Sequence, residues 1–269
     1  MKQVIIHDEE PEKSVAEMTL KHNTDNTDPN LRIYRSYVSS GAAPVMPIDD
    51  EASRGRNLHL KTFVKDHFPE NREAAILDLG CGSGALIRVA ALEGYKNLTG
   101  VDFSAEQLKV AISSGFGRIY DADVVEYLRN QESSSFDIVV SFDLIEHFNK
   151  STLIDVTDNV RRVLKPRGKW LLHVPNAESP FFGRVRYGDF THELAFTSQS
   201  LSSFLKASGF HSVRCLEDGP VPHGLKSIIR FLSWKLLRKV IRVAIVIETG
   251  ELAKASIFTQ NMFAVAELG

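Results

Sequence analysis

The stretch Ala75-Ile76-Leu77-Asp78-Leu79-Gly80-Cys81-Gly82-Ser83-Gly84 constrains this chain more than any other. It opens as a short apolar run, the pattern of a strand buried on both faces. It ends in three glycines at alternate positions. Apolar residues then recur at helical spacing through Leu86, Ile87, Val89, Ala90 and Leu92. A strand, a glycine turn and a helix N-terminus make a site sized for a nucleotide, because glycine lets the turn take positive φ and lets a ligand lie against bare backbone. The turn has two readings. Gly80-x-Gly82-x-x-Ala85, with Asp102 placed downstream for a ribose contact, satisfies the dinucleotide fingerprint and implies a nicotinamide-dependent oxidoreductase. Asp78-x-Gly80-x-Gly82-x-Gly84 is the second, and the segments that follow bear on the choice.

Asn97 to Asp102 reads as a second strand with Asp102 at its C-terminal end, and Ser104 as the N-cap of the next helix. A third strand around Arg118-Ile119-Tyr120 ends in Asp121-Ala122-Asp123. Phe136-Asp137-Ile138-Val139-Val140-Ser141-Phe142-Asp143-Leu144-Ile145-Glu146-His147-Phe148 begins as a buried strand and turns polar at Glu146-His147. After a helix, Leu164-Lys165-Pro166-Arg167-Gly168 turns into a fifth strand. Over residues 55–176 these segments resemble the class I S-adenosylmethionine (SAM)-dependent methyltransferases. The glycine loop is similar to their motif I. The Phe-Asp…Glu-His segment is similar to that of enzymes of the ubiquinone-biosynthesis type. The Leu-Lys-Pro-Arg-Gly turn is similar to their "LKPGG", with Arg167 in place of a frequent glycine.

The resemblance implies SAM as cofactor. It assigns to cofactor binding Asp78, Gly80, Cys81, Gly82 and Gly84 of the loop, Asp102 and Phe103 after the second strand, Asp121 and Ala122 after the third, and Ser141 and Phe142 at the end of the fourth. Asp121 is favoured for the adenine amino group, with Asp123 as the alternative. The implied fold is α/β, a doubly wound, seven-stranded, mostly parallel Rossmann-like sheet. It divides into an N-terminal arm and cap (1–48), a SAM-binding core (49–217), a helical insertion (218–255) and a final antiparallel strand (256–269).

Methyl transfer needs the acceptor aligned opposite the methyl group and its proton removed. Imidazole titrates near neutral pH, which makes His147, at a strand's C-terminal edge, the first candidate base. His192 is the second, in the turn-rich and aromatic stretch 176–196 that follows strand five. The two can act together, one as base and the other as orienter. Glu146 either orients His147 or caps the next helix. Arg184 and Arg186 either clamp an anion or sit in solvent. Glu146, His147, His192 and Asp143 are metal-ligand types, but they lack a close ligand-spacing motif, so no metal is expected. The string from Asp189 to Phe210 resembles methyltransferases of bacterial polysaccharide and nucleotide-sugar clusters, and implies O-methylation of a sugar, nucleotide-sugar or other small-molecule or glycan hydroxyl.

A net charge of −2 across 269 residues, without basic patches interleaved with aromatics, argues against nucleic acid. Two cysteines make no disulfide framework, and with an early acidic N-terminus they point to a cytoplasmic protein. The insertion carries an apolar stripe through Ile229, Leu232, Leu236, Val240, Val243 and Ile247, with Lys235, Arg238, Lys239 and Arg242 opposite. Such a helix buries its stripe as a lid or homodimer contact, or lies through 225–247 on the inner face of a membrane. A methyltransferase-fold protein that binds a partner without catalysis is the remaining reading.

Overall fold

Strands β1 (Ala75–Leu79), β2 (Asn97–Asp102), β3 (Arg118–Asp121), β4 (Phe136–Phe142), β5 (Leu164–Pro175), β6 (Ser212–Glu217) and β7 (Asn261–Glu267) join into one sheet of order β3-β2-β1-β4-β5-β7-β6. The structure is a computed structural model that describes Ile33, Val38, Ser39, Gly41 and residues 51–222, 224–250 and 256–269. Apart from Ile33, Val38, Ser39 and Gly41, the expected N-terminal arm and cap over 1–48 lies outside the described residues. Neighbouring strands from β3 to β5 run parallel, and β7 runs antiparallel to both β5 and β6. This is the expected doubly wound, mostly parallel sheet.

The apolar runs explain its position. Alternate residues of β1 serve opposite cores, as period-2 geometry requires. Leu77 and Leu79 pack with Val139, Trp170 and Leu172 against helices α4 (Val124–Arg129), α5 (Lys150–Val163) and α7 (Ser198–Ala207). Ile76 packs with Ile138, Val140 and Leu171 against α1 (Glu51–His67) and α2 (Ala85–Leu92). α3 (Ala105–Ser113) and the short α6 (Phe182–Arg186) complete the layers, and α8 (Leu225–Thr249) is inserted between β6 and β7.

β1 lies between β2 and β4, so chain order reverses beside it and a crevice opens at the strands' carboxyl ends. One expectation is corrected here. Ser104 holds the N-cap position of α3, but its hydroxyl makes no cap bond and is buried without a partner among the described residues. Ile112 is 60% exposed, because only Leu108 and Ala111 of α3 reach the core.

Candidate functional site

The crevice is a cavity of about 840 Å³. Its lining includes the glycine loop. Gly80 and Gly82 take φ of 70° and 55°, left-handed backbone that side chains disfavour. The Gly80 and Cys81 N–H groups both donate to the Val101 carbonyl, at 2.8 and 3.0 Å, which folds the loop back over β2. Asp102 locks it there. Its Oδ2 accepts from the Gly82 N–H and its Oδ1 from the Ser104 N–H, both at 2.8 Å. Burial raises the Asp102 pKa, although these backbone donors oppose the shift.

Asp78 lies beneath the loop, 2% exposed, lining the cavity and with no hydrogen-bond partner for its carboxyl among the described residues. Burial, and then the neighbouring Asp102, push its pKa up to about 8. A buried carboxyl without a partner is costly unless a cation meets it. SAM carries such a cation at its amino-acid end. Asp102 keeps lone pairs for hydroxyl donors after holding two amides. The donor set therefore fits SAM.

The other assigned residues divide. Cys81, Phe103 and Phe142 line the cavity. Cys81 packs over Gly100, where a Cβ would meet its Sγ at 2.9 Å, and burial pushes its thiol pKa far up. Ser141 does not line the cavity; it is fully buried and accepts the Trp170 indole N–H at 3.0 Å, a core contact. Asp121 and Ala122 also lie outside the lining. Asp121 is exposed on the edge strand, and the Ala122 N–H donates to the Asp102 carbonyl. Asp123 takes the place beside the cavity, where it caps α4 by accepting from the Val125 and Glu126 N–H groups.

His147 and His192 line the same cavity and meet with ring centroids 4.7 Å apart. His147 Nδ1 is 2.9 Å from Thr191 Oγ1, whose hydroxyl donates to Asp189 Oδ1 at 2.7 Å. Thr191 has one proton and spends it on the carboxylate, so its oxygen accepts from His147 Nδ1–H. This assigns the tautomer with the lone pair on Nε2. Burial, then His192, hold His147 down to about 4, so the ring is neutral at physiological pH.

Glu146 performs neither expected role. Asn149 caps α5, and Thr191 rather than Glu146 bonds His147. The Glu146 carbonyl instead anchors the 189–194 loop by accepting from Glu193 and Leu194, both at 2.8 Å. Its carboxyl is fully buried without a partner among the described residues, and burial, then Asp143, raise its pKa well above normal. Glu146, His147 and His192 bring ligand-type atoms within 4.8 Å of one another, a donor set a metal could use. Arg184 and Arg186 stay outside the cavity lining, and Arg186 donates to the Glu193 carbonyl.

Comparison with known proteins agrees with this geometry. Residues 76–168 match the family described as "Methyltransferase domain". A ubiquinone biosynthesis O-methyltransferase of Sodalis glossinidius is 30% identical over 177 residues, covering 58% of this chain and 68% of the relative. The chain belongs to the class I SAM-dependent methyltransferase family. A protein of the same name from Idiomarina loihiensis is 29% identical over 167 residues, covering 56% of this chain and 67% of the relative. The chain spans about half of other such relatives, 48% of one from Xanthomonas oryzae. The crystal structure of a SAM-dependent methyltransferase from Archaeoglobus fulgidus superposes with a TM-score of 0.58 at 19% identity, covering 80% of this chain and 96% of that one. SAM is the cofactor of the methyltransferase. Asp102→Ala is expected to weaken SAM binding about 10- to 100-fold, because it strips two loop amides of their acceptor together with a hydroxyl contact. Calorimetric titration checks this, and an unchanged affinity would remove Asp102 from the site.

Proposed function

We propose that this methyltransferase methylates a hydroxyl oxygen, with His147 as general base. The observation that carries the reading is the chain His147–Thr191–Asp189 beside the cavity that the glycine loop also lines. SAM, when bound, supplies an electrophilic methyl group. The chain positions the acceptor hydroxyl against His147, whose Nε2 takes the proton while Thr191 holds Nδ1–H. His192 stands against His147 and orients it or the acceptor. Glu146, buried beside them with a raised pKa, serves as a neutral hydrogen-bond donor rather than as a second base.

A second cavity of about 610 Å³ adjoins the first, sharing Arg56 and Asn261 in its lining. Arg56 and Arg230 offer anion contacts and Trp234 a ring face, which supports the expected sugar or nucleotide-sugar acceptor. The relatives' name supports a second reading, an acceptor from ubiquinone biosynthesis. Transfer of labelled methyl from SAM to nucleotide-sugars and to ubiquinone precursors in parallel separates the two, and failure with every hydroxyl acceptor would sink the reading. Turnover is expected to survive a chelator such as EDTA. Loss on chelation with recovery on adding a divalent cation would reassign Glu146, His147 and His192 to a metal centre.

A further inference from the structure

α8 turns its apolar stripe outward and Arg238 and Arg242 inward. The stripe runs Leu225, Ile229, Leu232, then Leu236, Val240, Val243, then Ile247, an 11-residue repeat that keeps one line along a nearly straight helix. These side chains are 56% to 80% exposed. The opposite face meets the body: Ser227 is buried, Arg238 pairs with Glu217 of β6, and Arg242 lies over the Phe258 ring. Of the expected roles, burial of the stripe as a lid against the body is not seen, while Arg238 and Arg242, expected opposite the stripe, meet the body.

Charge decides what covers the stripe. Lys226, Arg230, Lys235 and Lys239 are exposed. At about 100° per residue, Lys235 and Lys239 flank one side of the stripe and Lys226 and Arg230 the other. No Asp or Glu occurs between Asp218 and Glu248. A second copy packed along the stripe would bring two such sets of cations to one seam with no acid from either helix, and like charges repel there. An anionic surface turns the same flanks into attraction.

We infer that α8 lies flat on an anionic lipid bilayer. The stripe enters the boundary between headgroups and acyl chains, and the flanking lysines reach lipid phosphates along their own methylene stems. The helix rests on the membrane rather than crossing it; among the described residues no helix is long and apolar enough to span. Arg230, Trp234 and Leu237 of α8 line the second cavity together with Phe181, so docking sets that cavity at the bilayer surface.

The test is flotation of the full chain with vesicles. One set holds equal parts phosphatidylglycerol and phosphatidylcholine, the other phosphatidylcholine alone. Binding is expected only to the first, weakening as salt rises. Leu236→Glu and Val243→Glu are each expected to cut partitioning about tenfold or more, and Lys235→Glu with Lys239→Glu to abolish preference for the anionic set. All four positions are exposed, so circular dichroism and SAM binding should match the parent. No flotation with the anionic vesicles, or flotation unaffected by these substitutions, overturns the inference. So does a dimer in light scattering that Leu236→Glu dissociates while vesicles bind neither form; that result makes the second copy the occupant.

Discussion

Replacing His147 with alanine is expected to lower turnover by about 10²- to 10⁴-fold while SAM affinity stays within about twofold, since the ring serves the acceptor's proton and not the cofactor. The expectation follows from where the ring stands. It lines the same cavity as the glycine loop and stands against His192. Its pKa, pushed down to about 4 by burial and then by His192, sets the pH dependence. The working form is the neutral ring. The acid limb of the rate profile should therefore fall near pH 4, below the usual histidine value, and the rate should be flat from there to neutrality. Thr191 acts as a positioning residue. Thr191→Val removes the hydroxyl partner of Nδ1, weakens the hold on this tautomer, and should cost about tenfold in turnover with little change in acceptor KM. Thr191→Ser, which keeps the oxygen, should restore most of the rate. Full activity in His147→Ala with an identified acceptor would remove the base from this position. Equal losses in Thr191→Val and Thr191→Ser would show that the methyl group, not the hydroxyl, is what matters.

The parts of this site differ in how plainly the sequence displays them. β1 and β4 are continuous apolar runs, and the glycine loop joins a strand to a helix within ten residues, so local pattern alone places Asp78, Gly80 and Gly82 on one edge. Asp102 is legible for the same reason, as the last residue of the adjacent strand. Ser141 is not. Its position at the end of β4 suggests the ligand edge, but strand alternation turns its side chain away to Trp170. Asp121 and Asp123 are separated by one residue, and only the helix cap made by Asp123 decides which one stays beside the cavity. Thr191 and Asp189 were visible only as polar residues in a turn-rich loop. Their meeting with His147 spans 44 positions and carries no periodicity that a sequence could show. The stripe of α8 is unmistakable in the sequence, yet nothing in a helical repeat says which face the body takes. That choice rests on Glu217 and Phe258, which draw Arg238 and Arg242 inward.

His173 was hidden in the same way, as one polar residue within the apolar run of β5, and its replacement should have the largest effect on stability. Its side chain is 7% exposed. Nδ1 lies 2.6 Å from Asp143 Oδ1 and Nε2 lies 3.1 Å from Asp218 Oδ2, while Asp218 also takes His59 of α1 at 2.9 Å. The chain of charges ties α1, β5, the start of the insertion and the cavity wall together. Burial acts to lower the His173 pKa, but Asp143 and then Asp218 outweigh it and push the pKa up to about 10. Burial also raises Asp218, and its two histidine partners overcome that and hold it well below the usual carboxylate range. The signs then fix the pH window. A histidine raised on folding contributes fully below its unfolded value of 6.5, and that contribution fades as pH climbs to about 10. A carboxylate lowered on folding contributes above its unfolded value of 3.8 and loses that contribution as pH falls further. His173→Gln should thus cost about 3 kcal/mol near pH 6, the low end for truncating one member of a buried ion pair, since Asp143 opens onto the cavity and is partly solvated. The cost should shrink as pH rises and approach the loss of packing alone above pH 10. Denaturant unfolding of both proteins across this range measures it. A stability difference that does not change with pH would mean that the ring is neutral in the folded protein and donates to only one of the two carboxylates.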